Sequence, residues 1–216
     1  SFLKKIGSGE KTSTGLTREE SAIALQLILK NQATPAQIGA FMMAHRIRRP
    51  EPQELAGMLD AYFELGPKIK SKSNQQKPIC FGMPFDGRTR TAPIYPITTL
   101  ILISAGQPVV LHGGKRMPTK YGVTAMELFE AIGLNLEGLS LQSVEKGFHR
   151  NDFALIHQPD HFPLAESLIT YREELGKRPP IASMELLWTP HQGKHLLISG
   201  FVHAPTEKRA QQAITL

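Results

Sequence analysis

The chain has 216 residues, of which 41% are hydrophobic, 20% charged and 7% aromatic. Its 25 Lys and Arg against 19 Asp and Glu leave a net charge of +6 and a pI near 9.5. Such a composition excludes collagen-like, coiled-coil and disordered classes, and a single cysteine, Cys80, excludes a disulfide scaffold.

The opening Ser-Phe-Leu-Lys-Lys-Ile-Gly is too short and too polar for a signal peptide. No apolar run reaches the ~20 residues of a membrane span. The longest, Ile94 to Ala105, is broken by Tyr95, Pro96, Thr98, Thr99 and Ser104. The expectation is a cytoplasmic protein in a reducing compartment, with no membrane partner. The positive balance favours anionic partners over a Debye length of ~8 Å, and it equally suits plain solubility.

The first third reads as helical. Thr17-Arg18-Glu19-Glu20 is a capping box, and Ile23, Ala24, Leu27 and Ile28 follow as an apolar stripe at helical spacing. Thr34-Pro35-Ala36-Gln37 repeats the device with proline in the first turn. Ile38, Phe41 and Met42 continue that helix up to Arg46, Arg48, Arg49 and Pro50, a basic stretch that reads as a solvated helix end or, as the alternative, as an extension of an anion-binding surface. A third helix starts near Glu51, carries Leu55, Met58, Leu59, Tyr62 and Phe63, and ends at Gly66-Pro67. Residues 1–67 thus read as a small helical domain. Lys68 to Lys77 is polar, basic and aperiodic, the pattern of an exposed linker.

Residues 78–216 alternate short strands and helices. Strands are expected at Ile79–Phe81, Pro108–Leu111, Phe153–Ile156 and Leu196–Val202. Helices are expected at Ile97–Ala105, Thr124–Ile132 and Leu164–Leu175. That alternation predicts an α/β domain with a mostly parallel sheet behind the small N-terminal bundle.

Two loops follow predicted strands, where open parallel sheets bind their ligands. One runs from Gly82 through Asp86, Gly87, Arg88 and Arg90. The other runs from His112 through Gly113, Gly114, Lys115, Arg116 and Lys120 to Gly122. Between Gly82 and Gly122 stand five cations and one acid, Asp86, so most of the net charge sits there. Glycines ahead of helix N-termini offer amides to phosphate oxygens, and the cations add charge-assisted bonds. The same glycines could simply permit tight turns, and the same cations could solvate a loop. His157 and His161 are separated by Pro159, which favours a turn with surface histidines over a metal site. No metal site is read from the sequence.

Several stretches carry a resemblance. Leu16-Thr17-Arg18-Glu19-Glu20, Ala36 to Ala44, Glu54-Leu55-Ala56-Gly57, Ala105 to Val109, Glu130 to Leu136 and Tyr171 to Arg178 resemble anthranilate phosphoribosyltransferases and their glycosyltransferase family 3 relatives, in order and spacing. The resemblance implies transfer of ribose 5-phosphate from phosphoribosyl pyrophosphate, with Mg²⁺ on the pyrophosphate if the activity is kept. It also implies a homodimer formed through the helical domain, and packing of residues 164–190 back on that domain. Arg172 matches the arginine that helps hold the aromatic acceptor.

The chain departs from that pattern at the phosphate loops. Gly82-Met83-Pro84-Phe85-Asp86 stands where the family has Gly-Thr-Gly-Gly-Asp, and His112-Gly113-Gly114 lacks the lysine and asparagine of Lys-His-Gly-Asn. Pro84 removes a donor, and Phe85 puts a ring where backbone must approach phosphate. The family's Mg²⁺-binding Asp-Glu pair lies further downstream than these residues, so the α/β domain reads as partial. Two expectations result: a phosphoribosyltransferase homologue with an altered phosphate site, or a non-catalytic protein that binds nucleic acid in the basic cleft.

Overall fold

The computed structural model describes residues 2–9, 11–83, 85–89 and 91–216. A short helix α1 (Phe2–Ile6) precedes the bundle helices α2 (Arg18–Leu29), α3 (Pro35–Arg48) and α4 (Pro52–Leu65). The Thr17/Glu20 and Thr34/Gln37 capping boxes both form. The buried face of α2 differs from the predicted stripe, however. Ser21, Ala24, Leu25, Ile28 and Leu29 point inward, while Ile23 and Leu27 face out. The reason is the close approach of α2 to α4, where small Ser21 donates its hydroxyl to Glu54 O at 2.8 Å. Arg18 adds a two-pronged ion pair to Asp60. Phe63 likewise turns outward on α4.

Residues 68–77 are not simply an exposed tether. Ile69 is fully buried, and β1 (Ile69–Lys70) pairs in parallel with β5 (His191–Gln192). Buried Ile69 anchors the segment together with hydrogen bonds from Lys70 N to Glu145 and from Gln75 to Asp152.

The main sheet has four parallel strands, β2 (Ile79–Gly82), β3 (Val109–Gly113), β4 (Phe153–His157) and β6 (Leu196–Ser199), in the order β4-β3-β2-β6. Helices α5 (Tyr95–Ser104) and α6 (Ala125–Ala131) follow β2 and β3, and α7 (Leu141–Asn151) leads into β4. Helix α7 was not predicted, although Ser140 caps it and Val144 and Phe148 form its buried stripe. The expected helix at Leu164–Leu175 is broken into α9 (Pro163–Glu166) and α10 (Ile169–Leu175), after the single turn α8 (Gln158–His161). Pro159 starts α8 rather than breaking a helix, and His157 is buried with Nδ1 2.7 Å from Asp160. A further short helix, α11 (Ile181–Met184), and a terminal helix, α12 (Ala204–Thr215), complete the chain.

An aromatic cluster joins the bundle to the sheet. Tyr62 of α4 meets Phe162 at 5.0 Å and Trp188 at 5.9 Å between ring centroids. All three are buried, and each such ring contributes roughly 2–3 kcal/mol through burial. Trp188 is therefore a core residue. Helix α12 packs on α4, with Ala213 against Leu55 and Ala56. The architecture is α/β, a small helical bundle carrying a parallel sheet with helices on its faces.

Candidate anion-binding cleft

From β2 the chain steps outward through β3 to β4, then returns to the far side of β2 as β6. That reversal leaves a crevice at the carboxyl ends of β2 and β6, the position where open parallel sheets receive ligands. A cleft of about 720 Å³ lies there. Its floor includes Gly82 at the end of β2 and Gly200 and Phe201 beyond β6. The corner between α3 and α4 supplies Arg46 and Arg49, and α12 supplies Thr206 and Arg209.

Among the described residues six cations line this cleft: Arg46, Arg49, Arg88, Lys120, Arg178 and Arg209. No carboxylate lines it among the described residues. The neighbouring Arg48 is directed inward instead, pairing with the fully buried Glu54. Glu54 also accepts from the amides of Leu16 at 2.9 Å and Glu51 at 2.8 Å, and lies 3.3 Å from His45 Nε2. Burial opposes this charge, but His45, Arg48 and the two amides outweigh it and hold the Glu54 carboxyl at about 2. The α3–α4 corner is thus pinned from inside while Arg46 and Arg49 face the cleft. Of the two readings of this basic run, the anion-facing one matches the positions of Arg46 and Arg49.

The loop after β2 is built by a close crossing. Gly87 takes a left-handed φ of +73°, and an added Cβ there would stand 2.5 Å from the Gly122 backbone. Arg88 and Val123 then form an antiparallel bridge, with Arg88 N donating to Val123 O at 3.3 Å and Val123 N to Arg88 O at 3.1 Å. Gly122 N donates to Asp86 O at 3.0 Å. The crossing places Arg88 and Lys120 on one wall. Gly82 carries no side chain for a different reason: a Cβ there would collide with Leu186 O.

The structure therefore brings Gly82, Gly87, Arg88 and Lys120 together at the cleft, with Asp86 buried behind them. Arg90 and Pro84 lie outside the described residues. The rest of the second loop departs from expectation. Lys115 pairs with Glu137 at 3.0 Å and Arg116 with Glu127 at 2.6 Å, both away from the cleft. Their carboxylate partners come from later segments, so the loop's local charge is spent on ion pairs.

His112, Gly113 and Gly114 are buried around a void of only about 10 Å³, lined also by Phe85. His112 packs against Phe85 at 4.7 Å and Trp188 at 5.3 Å. Neither of its ring nitrogens has an aligned hydrogen bond, the Trp188 backbone offering only a loose polar contact. Burial pushes its pKa down to about 3, so it is a neutral core ring with no anion contact. Arg172 is buried as well and pairs with Glu185, whose other oxygen accepts from Phe85 N at 3.2 Å. Burial lowers the Arg172 pKa, and it does not line the cleft.

Sequence reasoning missed Arg178 and Arg209 as cleft residues. Arg209 sits on the unpredicted α12, for which Pro205 after His203 was the available signal. Mg²⁺ finds no fitting site in this part of the molecule. Among the described residues no group of three or more His, Cys, Asp or Glu side chains could hold a metal ion. Asp86 is engaged by Lys120 at 3.3 Å and Arg178 at 3.0 Å.

Residues 1–66 match the helical bundle domain of a glycosyl transferase family. Anthranilate phosphoribosyltransferase of Methylocella silvestris is 28% identical over 200 residues, covering 93% of this chain and 56% of that protein. The enzyme of the same name from Rhizobium etli is 31% identical over 136 residues, 63% of this chain and 38% of the relative. The chain is similar to anthranilate phosphoribosyltransferases. Its fold is that of the anthranilate phosphoribosyltransferase of Thermus thermophilus, with a TM-score of 0.80 at 20% identity over 99% of this chain and 62% of that one. The Saccharomyces cerevisiae enzyme, solved with PRPP and Mg, gives a TM-score of 0.75 at 16% identity, covering 99% and 61%. The chain spans about three fifths of the length of these relatives. No helix of the described residues is long and apolar enough to cross a membrane.

Proposed function

We propose that this chain binds a polyphosphate ligand, in first place the backbone of a nucleic acid, in the cationic cleft at the β2–β6 switch point. The observation that carries the reading is six lining cations with no lining carboxylate among the described residues. Such a surface attracts anions by charge alone and binds through counterion release. Each wall contributes three cations, which suits a chain of phosphates better than a single one. Phe85, His112 and Met117 are buried at the ends of β2 and β3, so compact phosphate binding there is disfavoured. That filling supports an altered phosphate site and argues against classical phosphoribosyl transfer.

A second reading, pentosyl transfer with altered donor and acceptor sites, is favoured by one observation: Gly82 and Gly87 line the cleft at the family's phosphate loop. One pair of titrations separates the two. Labelled oligothymidylate should bind with a log–log salt slope of roughly −0.7 per phosphate contacted, while phosphoribosyl pyrophosphate with Mg²⁺ should give no heat at millimolar concentration. Saturable heat with the donor, and salt-insensitive or absent oligonucleotide binding, would reverse the order.

Two wider expectations belong to the same proposal. A homodimer through the helical domain is supported by the outward Ile23, Leu27 and Phe63, and light scattering of the protein with Ile23 replaced by Glu tests it. A reducing cytoplasmic setting is supported by the buried free thiol of Cys80.

A further inference from the structure

Among the described residues Asp86 is the one buried carboxylate that touches cleft cations, and it has no part in the cleft surface itself. Its Oδ1 lies 3.3 Å from Lys120 Nζ and its Oδ2 lies 3.0 Å from Arg178 Nε. Lys120 comes from the loop after β3 and Arg178 from the segment after α10, so two distant pieces of chain converge on one side chain. We infer that Asp86 is a positioning residue, which gathers Lys120 and Arg178 into a single phosphate seat on the sheet side of the cleft. The inference rests on the polyphosphate reading above.

The geometry leaves both cations able to serve a ligand. An ammonium has three N–H donors and Lys120 directs one at Asp86. Arg178 Nε approaches Oδ2 without hydrogen-bond alignment, so that contact is chiefly Coulombic. Its Nη2 donates to Ala182 O at 3.1 Å, and Nη1 remains for the cleft. Asp86 in turn is held by its own carbonyl, which accepts from Gly122 N two residues beyond Lys120. Without the carboxylate, two like charges would repel and separate.

Charge counting and positioning predict opposite results, which makes the inference sharp. Replacing Asp86 by Asn removes a negative charge beneath six cations, so charge counting alone predicts tighter anion binding. Positioning predicts weaker binding. With fluorescein-labelled oligothymidylate in anisotropy titrations, Asp86→Asn should weaken binding at least tenfold and reduce the salt slope by about 1 to 1.5, the value of two lost contacts. In a Lys120→Gln/Arg178→Gln background the same change should alter affinity less than twofold.

Equal or tighter binding by Asp86→Asn overturns the inference, as does an undiminished loss in the doubly substituted background. If Asp86→Asn does not fold, the single and double Lys120→Gln and Arg178→Gln variants decide. A seat that acts as one unit makes the double loss little greater than the larger single loss, whereas additive losses contradict it. Absence of binding by the unmodified protein removes the polyphosphate reading itself, and so is a different failure.

Discussion

The rings of Phe85 and His112 lie 4.7 Å apart and tilted by 59°, closing the space between the carboxyl ends of β2 and β3. That contact shifts the open end of the sheet to the other side of β2, where β6 leaves the cleft free. A ligand seat on this fold is decided by which strand ends are filled with side chains. Here the filled pair is β2–β3 and the open pair is β2–β6.

His112 makes the filling pH-dependent. Burial pushes its pKa from 6.5 to about 3. Between those values the unfolded chain takes up a proton that the folded chain refuses, so stability falls as pH drops below about 6.5. His112→Leu should stay within about 1.5 kcal/mol of the parent at pH 7.5. It should also lose less stability than the parent between pH 7.5 and 5. Part of the acid loss will remain, because burial also brings His191 down to about 4. Urea melts at the two pH values measure the difference, and parallel losses in parent and variant would contradict it.

Glu54 gives an acid dependence at lower pH. Its carboxyl is held at about 2, against 4.5 unperturbed. Its stabilising contribution is therefore present above about 4.5 and is lost as pH falls from there through about 2. Removing the charge leaves Arg48 and His45 without their partner in a buried site. Glu54→Ala should cost roughly 3–5 kcal/mol at pH 7, read as a fall in denaturation midpoint. A loss under 1 kcal/mol would mean that the α3–α4 corner is held by other contacts.

The Arg172–Glu185 pair is tested by comparing one substitution with two. Breaking a buried pair strands its partner, so Arg172→Met should cost about 3–5 kcal/mol. Arg172→Met combined with Glu185→Leu should recover most of that, since a packed apolar pair is often as stable as a buried ionic one. Oligonucleotide affinity should stay unchanged in the double variant, because neither residue lines the cleft. A tenfold drop in affinity by the folded double variant would place Arg172 in the binding surface after all.

Much of the fold was legible from local chemistry. Thr17, Thr34 and Thr124 cap helices through side-chain bonds to residues three further on, and that pattern is visible in sequence. The strands Ile79, Val109 and Phe153 begin were also visible, because buried parallel strands are short apolar runs. Which face of α2 is buried was not, since Ser21 lies inward only because α4 approaches closely. The cleft was half legible. Gly82, Gly87, Arg88 and Lys120 were found, but Lys115 and Arg116 are neutralised by Glu137 and Glu127, whose partnership no local pattern reveals. Arg46, Arg178 and Arg209 come together through strand order and helix packing, which sequence spacing does not encode.

Occupancy of the cleft by a polyphosphate is tested most directly by the salt dependence of oligothymidylate binding in two variants. The first is Arg46→Ala/Arg49→Ala/Arg209→Ala, which strips the helical wall. The second is Lys115→Ala/Arg116→Ala, which removes equally basic residues outside the cleft. The first should bind at least a hundredfold more weakly, with a log–log slope shallower by about 2. The second should match the parent within about threefold. Equal slopes in the parent and the first variant, or a larger loss in the second, would contradict a polyphosphate seat in this cleft.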